Sequence, residues 1–450
     1  MKKFCWSLCL FGALGCNSSI KKVTMSWNEK GEMKPAYGYG SGIPVYSESV
    51  VKYHREGESD LKVKLDKPVV LGVADKPEGW GHFQFPSFIK VGNGEIFATW
   101  NMTDDAVSSY GTENGSRYSV SRNKGKTWND VDSVFGGRTY GTLLSNGDYL
   151  KIYTPKALKV SELDLPSPIG INDQSYKATY RFYRVNELPG ALQGTYLERL
   201  RKGETSWRVE HAAIFDSNLV RYSAGDLFPV VWWGDMHVAK DSSVIAGIYP
   251  ALYENEKGKV DPGGVAFYRS TDNGLSWKIQ GRIPYQGDIS LDTNANKRIS
   301  FGFTEPGFEI LSDGSMICIS RTSDGSGYSP MYISRSTDMG KTWSRPTPFT
   351  RAGVLPQVLQ LENGVVVLAA GRPGVQLRFS TDGKGEKWTD PFEMLPYDVK
   401  NKKDAVSCGY TDLMATGPNK FLIIYSDFKF INDKGEIRKA IKVREVTVDK

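Results

Sequence analysis

Cysteine and histidine are scarce in this 450-residue chain, and their placement excludes whole classes of protein. Of five cysteines, Cys5, Cys9 and Cys16 fall in the first sixteen residues, which leaves Cys318 and Cys408 for everything else. With four histidines in all and no CxxC pair, neither a zinc module nor a disulfide scaffold is available. Cys318 and Cys408 are expected as two buried thiols in separate strands. No segment shows a sustained helical period, so helix content should be very low. No long Pro/Ser linker divides the chain. Charge of one sign is also in short supply: 57 Lys and Arg face 51 Asp and Glu, a net +6. That balance excludes nucleic acid as the implied partner. A mild basic excess suits an acidic glycan and serves solubility equally well.

The one long apolar run is at the N-terminus, where Lys2 and Lys3 precede Phe4 to Leu14. It is too short for a membrane span and reads as a signal peptide, residues 1–15. The phrase Ala13-Leu14-Gly15-Cys16, followed by Asn17-Ser18-Ser19, resembles the lipobox of bacterial lipoproteins. That resemblance implies lipidation at Cys16, a tether over 16–40, and a bacterial outer-membrane anchor whose side is left open. Loss of Lys2 and Lys3 with the signal lowers the net charge from +6 to +4.

What is abundant is glycine, tryptophan and repetition: 47 Gly, 11 Trp and 12% aromatic residues. The phrase Ser336-Thr337-Asp338-Met339-Gly340-Lys341-Thr342-Trp343 has a close copy at Ser270 to Trp277. Looser copies run from Ser121 to Trp128, with Asn123 for the aspartate, and from Ser380 to Trp388, with one extra residue. Gly203-Glu204-Thr205-Ser206-Trp207 is a worn fifth. The physical content is a turn: Asp or Asn accepts backbone N–H groups, Gly takes a positive φ, and Trp plugs the sheet below.

Hairpin signals give an independent count of six, turning near Asn93, Asn146, Asp241, Asp313, Asn363 and Pro418. A further strand follows each, leading into a copy of the phrase or its remnant. The resulting expectation is an all-β, six-bladed β-propeller over residues 41–450, a single domain and a monomer. Leu61 to Val73 should pair with Ile437 to Val448 and close the ring; were it a blade of its own, the count would be seven.

The repeated phrases resemble the Asp boxes of the sialidase-like propellers, and the resemblance extends along the chain. Thr304-Glu305-Pro306-Gly307, Arg321, Gly371-Arg372-Pro373-Gly374 and Gly409-Tyr410-Thr411-Asp412 hold equivalent places in successive hairpins. In that family a Glu-activated Tyr attacks the anomeric carbon, an early-loop Asp is acid and base, and three arginines hold the substrate carboxylate. The resemblance implies Glu305 and Tyr410 as activator and nucleophile, Arg321 and Arg372 as two of the arginines, and Asp104 or Asp105 as acid/base. It departs at the first arginine, where Phe83-Gln84-Phe85-Pro86 puts Gln84 at the substrate-binding position. A neutral amide cannot make the bidentate charged contact.

Three functions follow as alternatives. An exo-acting glycoside hydrolase on an acidic or unusual sugar depends on Glu305 and Tyr410. A lyase or dehydratase on uronate or sulfated glycans would instead use His82, His237, Tyr249 and Arg372. A glycan-binding lipoprotein would use none of them catalytically. His211 is expected to be structural. No cofactor or catalytic metal is expected; a structural calcium in the loop Asp292 to Asn296 is the one metal site left open.

Overall fold

The computed structural model describes residues 21–26, 48–54, 60–111, 115–131, 139–175, 178–322, 329–395 and 405–450. Cys5, Cys9, Cys16 and the expected signal peptide lie outside the described residues, as does most of the expected tether. Strands dominate. Among the described residues the only α-helix is the four-residue Gly190–Gln193, beside four short 3-10 turns. No helix among them is long and apolar enough to cross a membrane.

All six expected hairpins are present, each as the first two strands of an antiparallel sheet. The first sheet runs Gln84–Lys90, Ile96–Asn101, Ser116–Ser121 and Asn129–Val131. The second is Thr142–Leu143, Tyr149–Ile152, Thr195–Leu200 and Arg208–Phe215. The third is Trp233–Val238, Val244–Tyr253, Gly264–Ser270 and Ser276–Ile283. The fourth and fifth begin at Phe303–Ile310 and Val354–Gln360 and also have four strands each. In the sixth, Thr411–Gly417, Lys420–Ile431 and Ile437–Asp449 are completed from the other end of the chain. Val69–Val73 pairs with Ala440 to Val443, and Leu61–Leu65 with Val446 to Asp449. The segment Leu61 to Val73 therefore belongs to the sixth sheet and makes no separate sheet.

The first strands pack against one another in sequence: Trp233–Val238 on Phe303–Ile310, that on Val354–Gln360, then Thr411–Gly417, then Gln84–Lys90. The core lies between sheets, in apolar clusters that join the second to the third, third to fourth, fourth to fifth, fifth to sixth and sixth to first. Second and third sheets depart from this regularity. Their fourth strands pair in parallel, Ala213 to Phe215 on Ser276 to Lys278, which joins the two into one 13-stranded sheet, and inserted strands Gly170–Ser175, Ala178–Arg184 and Leu219–Ala224 extend it from Val244–Tyr253.

The repeated turn works as its chemistry requires. In the third sheet Ser270 Oγ accepts Gly274 N–H at 2.8 Å and Asp272 accepts Ser276 N–H at 3.0 Å. The fourth-sheet copy matches it, at 2.9 Å for Gly340 and 2.9 Å for Thr342. Indole N–H groups of Trp128, Trp343 and Trp388 close their turns on Gly125, Gly340 and Gly385 carbonyls. Each turn glycine has positive φ, where a Cβ would be strained. The worn copy at 203–207 keeps the glycine and the tryptophan, but Trp207 packs on Tyr140.

Cys318 and Cys408 are free and buried, and burial pushes the Cys318 thiol up to about 12. Cys408 sits in the segment preceding the Thr411–Gly417 strand, not in a strand. In the loop Asp292 to Asn296, buried Asp292 is paired with Arg298 at 2.5 Å.

Candidate functional site

One position recurs where sheets open toward a common cleft. In the first sheet the pairing steps from Gln84 to Ser87 on one strand while its partner advances only two residues, leaving Phe85-Pro86 as a bulge. The same extra residue occurs at Glu305-Pro306 and Leu355-Pro356, also on first strands, and at Tyr249-Pro250 on the second strand of the third sheet. Proline has no N–H to give the ladder, so pairing lapses there and the preceding residue is turned outward. Phe85, Glu305 and Leu355 take positive φ, a conformation costing on the order of 1–3 kcal/mol each. All four pre-proline side chains line the same cleft, of about 1250 Å³.

Glu305 is at the centre of the polar contacts in this cleft. Its buried carboxylate accepts Arg321 Nη1 at 2.6 Å, Leu355 N–H at 2.9 Å and the hydroxyl of Tyr410. Arg321 also reaches Tyr410 Oη at 3.4 Å. Burial, and next the charge of Glu305, push the Tyr410 hydroxyl well above the ordinary phenol value. This phenol therefore holds its proton at neutral pH, with the Glu305 carboxylate within hydrogen-bond reach. Arg372 lies over the rings of Trp80 and Tyr410, at 5.2 and 5.8 Å, and donates to the Cys408 carbonyl at 2.9 Å. Close approach of Gly371 and Gly409, where either Cβ would fall 2.4 Å from opposing backbone, lets Arg372 and Tyr410 meet.

The two candidate acid/base residues separate. Asp105 lines the cleft and accepts the Trp80 indole N–H at 3.0 Å. Asp104 does not line it; its side chain is 84% exposed and faces His82 at 3.7 Å. Gly81 makes the arrangement possible, since a Cβ there would lie 2.2 Å from the Thr103 carbonyl.

No protein-family profile matches the sequence, and no curated protein matches it. Among solved structures the chain is similar to a protein of unknown function from Dyadobacter fermentans, at 18% identity and a TM-score of 0.52. That match covers 86% of this chain and 99% of the other. It is also similar to the Hadza microbial sialidase Hz136, at 14% identity and a TM-score of 0.43, over 82% of this chain and 65% of that one. An α-L-arabinanase from Penicillium chrysogenum matches at 16% identity and a TM-score of 0.44, over 84% and 98%. The likeness is one of fold. Residue roles therefore rest on the geometry of this chain.

That geometry changes the place of Gln84, which is fully buried and does not line the cleft. With its amide turned so that oxygen faces the nearby donors, it accepts Gly81 N–H at 3.1 Å and Lys439 Nζ at 3.2 Å. Lys439 also donates to the Gly79 and His82 carbonyls. Gln84 thus helps hold the segment that carries Trp80 and lies behind the cleft surface. His82 and His237 do not line the cleft either. His82 sits between Glu78 and Asp104, at 3.6 and 3.7 Å. His237 meets Phe308 edge-on, between Asp235 and Glu309. Burial opposes its charge, but Asp235 prevails and raises it to about 9, so it is protonated at neutral pH and is no base there. His211 stacks on Tyr196 away from the site.

Asp412 is a site residue that the sequence pattern does not single out. It lines the cleft, accepts Phe88 N–H at 2.7 Å, and burial pushes it up to about 7. Its adjacency to Tyr410 is the only sequence signal. Leu355 escapes sequence reasoning as well, and the recurring X-Pro dipeptide in strand contexts is the signal that finds it.

Proposed function

We propose that this chain is an extracytoplasmic glycoside hydrolase on a six-bladed propeller, with Tyr410 as nucleophile and Glu305 as its base. The observation that carries the reading is the Tyr410 hydroxyl seated on the Glu305 carboxylate, with Arg321 at 2.6 Å, in the wall of a large cleft. Attack of the phenol oxygen on an anomeric carbon passes its proton to Glu305 and expels the leaving oxygen, which Asp105 protonates. Water, deprotonated by Asp105, then releases the sugar and returns Tyr410, whose proton comes back from Glu305. Arg321 balances the charge of Glu305, and Arg372 is the cation nearest the nucleophile's ring face. Support for export and an outer-membrane lipid anchor comes from the lipobox-like phrase ending at Cys16. A monomer is the oligomeric state proposed.

The elimination reading needs His82 and His237 in one site with Arg372, and neither histidine lines the cleft. The test uses the chain from residue 17 with neutral, sialylated, uronate and sulfated oligosaccharides. Mass gain of one water across the products, without near-ultraviolet absorbance, is expected. Rising absorbance, or binding without turnover, would replace this reading by elimination or by a carrier role respectively.

A further inference from the structure

The cleft extends well beyond the Glu305–Tyr410 pair, and its extension has a different chemistry. Tyr249 adjoins the pair, and its hydroxyl is pushed up by burial and then by the charge of Glu305. Beyond it the rings continue: Tyr249 lies 5.5 Å from Trp233, and Trp233 meets Tyr110 edge-on at 5.4 Å. Phe301 follows, edge-on to Tyr180 and Tyr222 at 5.4 and 5.6 Å. Tyr180 and Tyr222 come from the inserted strands and are buried, so they act as backing; Trp233, Tyr110 and Phe301 are half-buried and face the cleft. Ala178 and Ala224, from the same strands, keep this part of the cleft open.

Charge complements this shape. The cleft's two arginines, Arg321 and Arg372, both contact Tyr410 and so belong to the reacting end. The aromatic stretch is bordered by Asp105 and Asp235, and among the described residues that line it none is basic. An acidic sugar there would meet the carboxylates of Asp105 and Asp235, whereas neutral pyranose or furanose rings would lay their C–H faces on the indole and phenol rings.

We propose that this aromatic wall is a binding site for neutral sugar units of the substrate, lying beyond the bond that Tyr410 attacks. The substrate is then a chain of several neutral units on that side, and the acidic glycan suggested by net charge is not what the wall selects. The proposal rests on the glycosidase reading for its orientation, but its binding test does not need turnover.

The experiment uses the chain from residue 17 carrying Glu305→Gln, with titration of mono- to tetrasaccharides derived from arabinan, galactan, xylan and mannan. Oligogalacturonate, sialyllactose and a sulfated oligosaccharide complete the set. At least one neutral series should gain about tenfold or more in affinity from one unit to four, the size of one to two kcal-scale contacts. Trp233→Ala should remove that gain while leaving the monosaccharide affinity in place. Tyr110→Ala serves as the second variant if Trp233→Ala does not unfold at the same temperature as its parent. Exclusive binding of acidic glycans, absence of any neutral binder, or a length gain that survives both substitutions would overturn the proposal. If the wall binds a neutral tetrasaccharide that the unsubstituted chain never cleaves, the hydrolase reading fails and the wall stands. Cleavage of short substrates with no length dependence would do the reverse, leaving the hydrolase and overturning the wall.

Discussion

The stretch from Phe303 to the C-terminus and the stretch from Thr142 to Ile283 start from the same plan and end differently. In the former, two four-stranded sheets and the sixth keep the plan, with turn copies closed by Trp343 and Trp388. In the latter, the second sheet's turn copy is worn, the two sheets join through their fourth strands, and inserted strands extend the joined sheet. Glu305, Arg321, Arg372 and Tyr410 all come from the regular stretch, while Trp233, Tyr180 and Tyr222 come from the irregular one. Groups that must meet at bond distance are carried by repeated, mutually braced positions; a wall that needs only shape and ring faces tolerates insertion.

The sharpest way to break this comparison is at the reacting end. Glu305→Gln and Tyr410→Phe should each lower turnover by roughly 10²–10⁴-fold, the usual range for loss of a positioned base or its partner. Trp233→Ala should act mainly on KM. Equal effects on kcat from all three would mean that the two stretches do not divide the work.

A second contrast compares an intact turn with the worn one. Trp388 is buried with its indole N–H on the Gly385 carbonyl at 2.7 Å, and Trp388→Ala should cost about 3–5 kcal/mol in urea unfolding. Trp207 packs on the surface-facing side of Tyr140 and Lys151, and Trp207→Ala should cost about 1 kcal/mol or less. Similar losses would show that the worn copy still braces its sheet.

Two smaller effects concern pH. Burial raises Asp412 from its ordinary 3.8 to about 7, so between those values the folded chain holds a proton that the unfolded chain has released. Stability should therefore fall as pH rises across this window, and Asp412→Asn should flatten that slope in unfolding titrations from pH 4 to 8. Asp338 has the opposite sign. The Thr342 hydroxyl, followed by its N–H, lowers Asp338 to about 2. Its contribution is present above 3.8 and fades as pH falls toward 2. Asp338→Asn should remove that acid sensitivity, as Asn123 already does in the first sheet's copy; an unchanged acid limb would count against the turn's electrostatic role.

Much of this is legible in the residues themselves. Period-two runs, turn dipeptides and the Ser-x-Asp-x-Gly-x-x-Trp phrase locate all six hairpins, and Leu61 to Val73 finds its expected partner strand. Local chemistry also marks Glu305, Arg321, Arg372 and Tyr410, because the repeat places equivalent positions on one rim. Less is legible where a role depends on which way a side chain turns. Asp104 and Asp105 are adjacent and chemically identical, yet only Asp105 faces the cleft. Gln84 and His82 stand on the expected rim, but Lys439, 355 residues from Gln84, draws the amide into the core.

The sequence by itself determined the all-β character, the hairpin positions and the turn chemistry, because these depend on neighbours a few residues apart. Only tertiary structure decided that four X-Pro bulges from four sheets line one cleft. It also decided that Tyr410 rests on Glu305 across 105 residues, and that an inserted hairpin backs an aromatic wall beside them. Those contacts are long-range, and no local pattern encodes the distance between two strands until the sheets have packed.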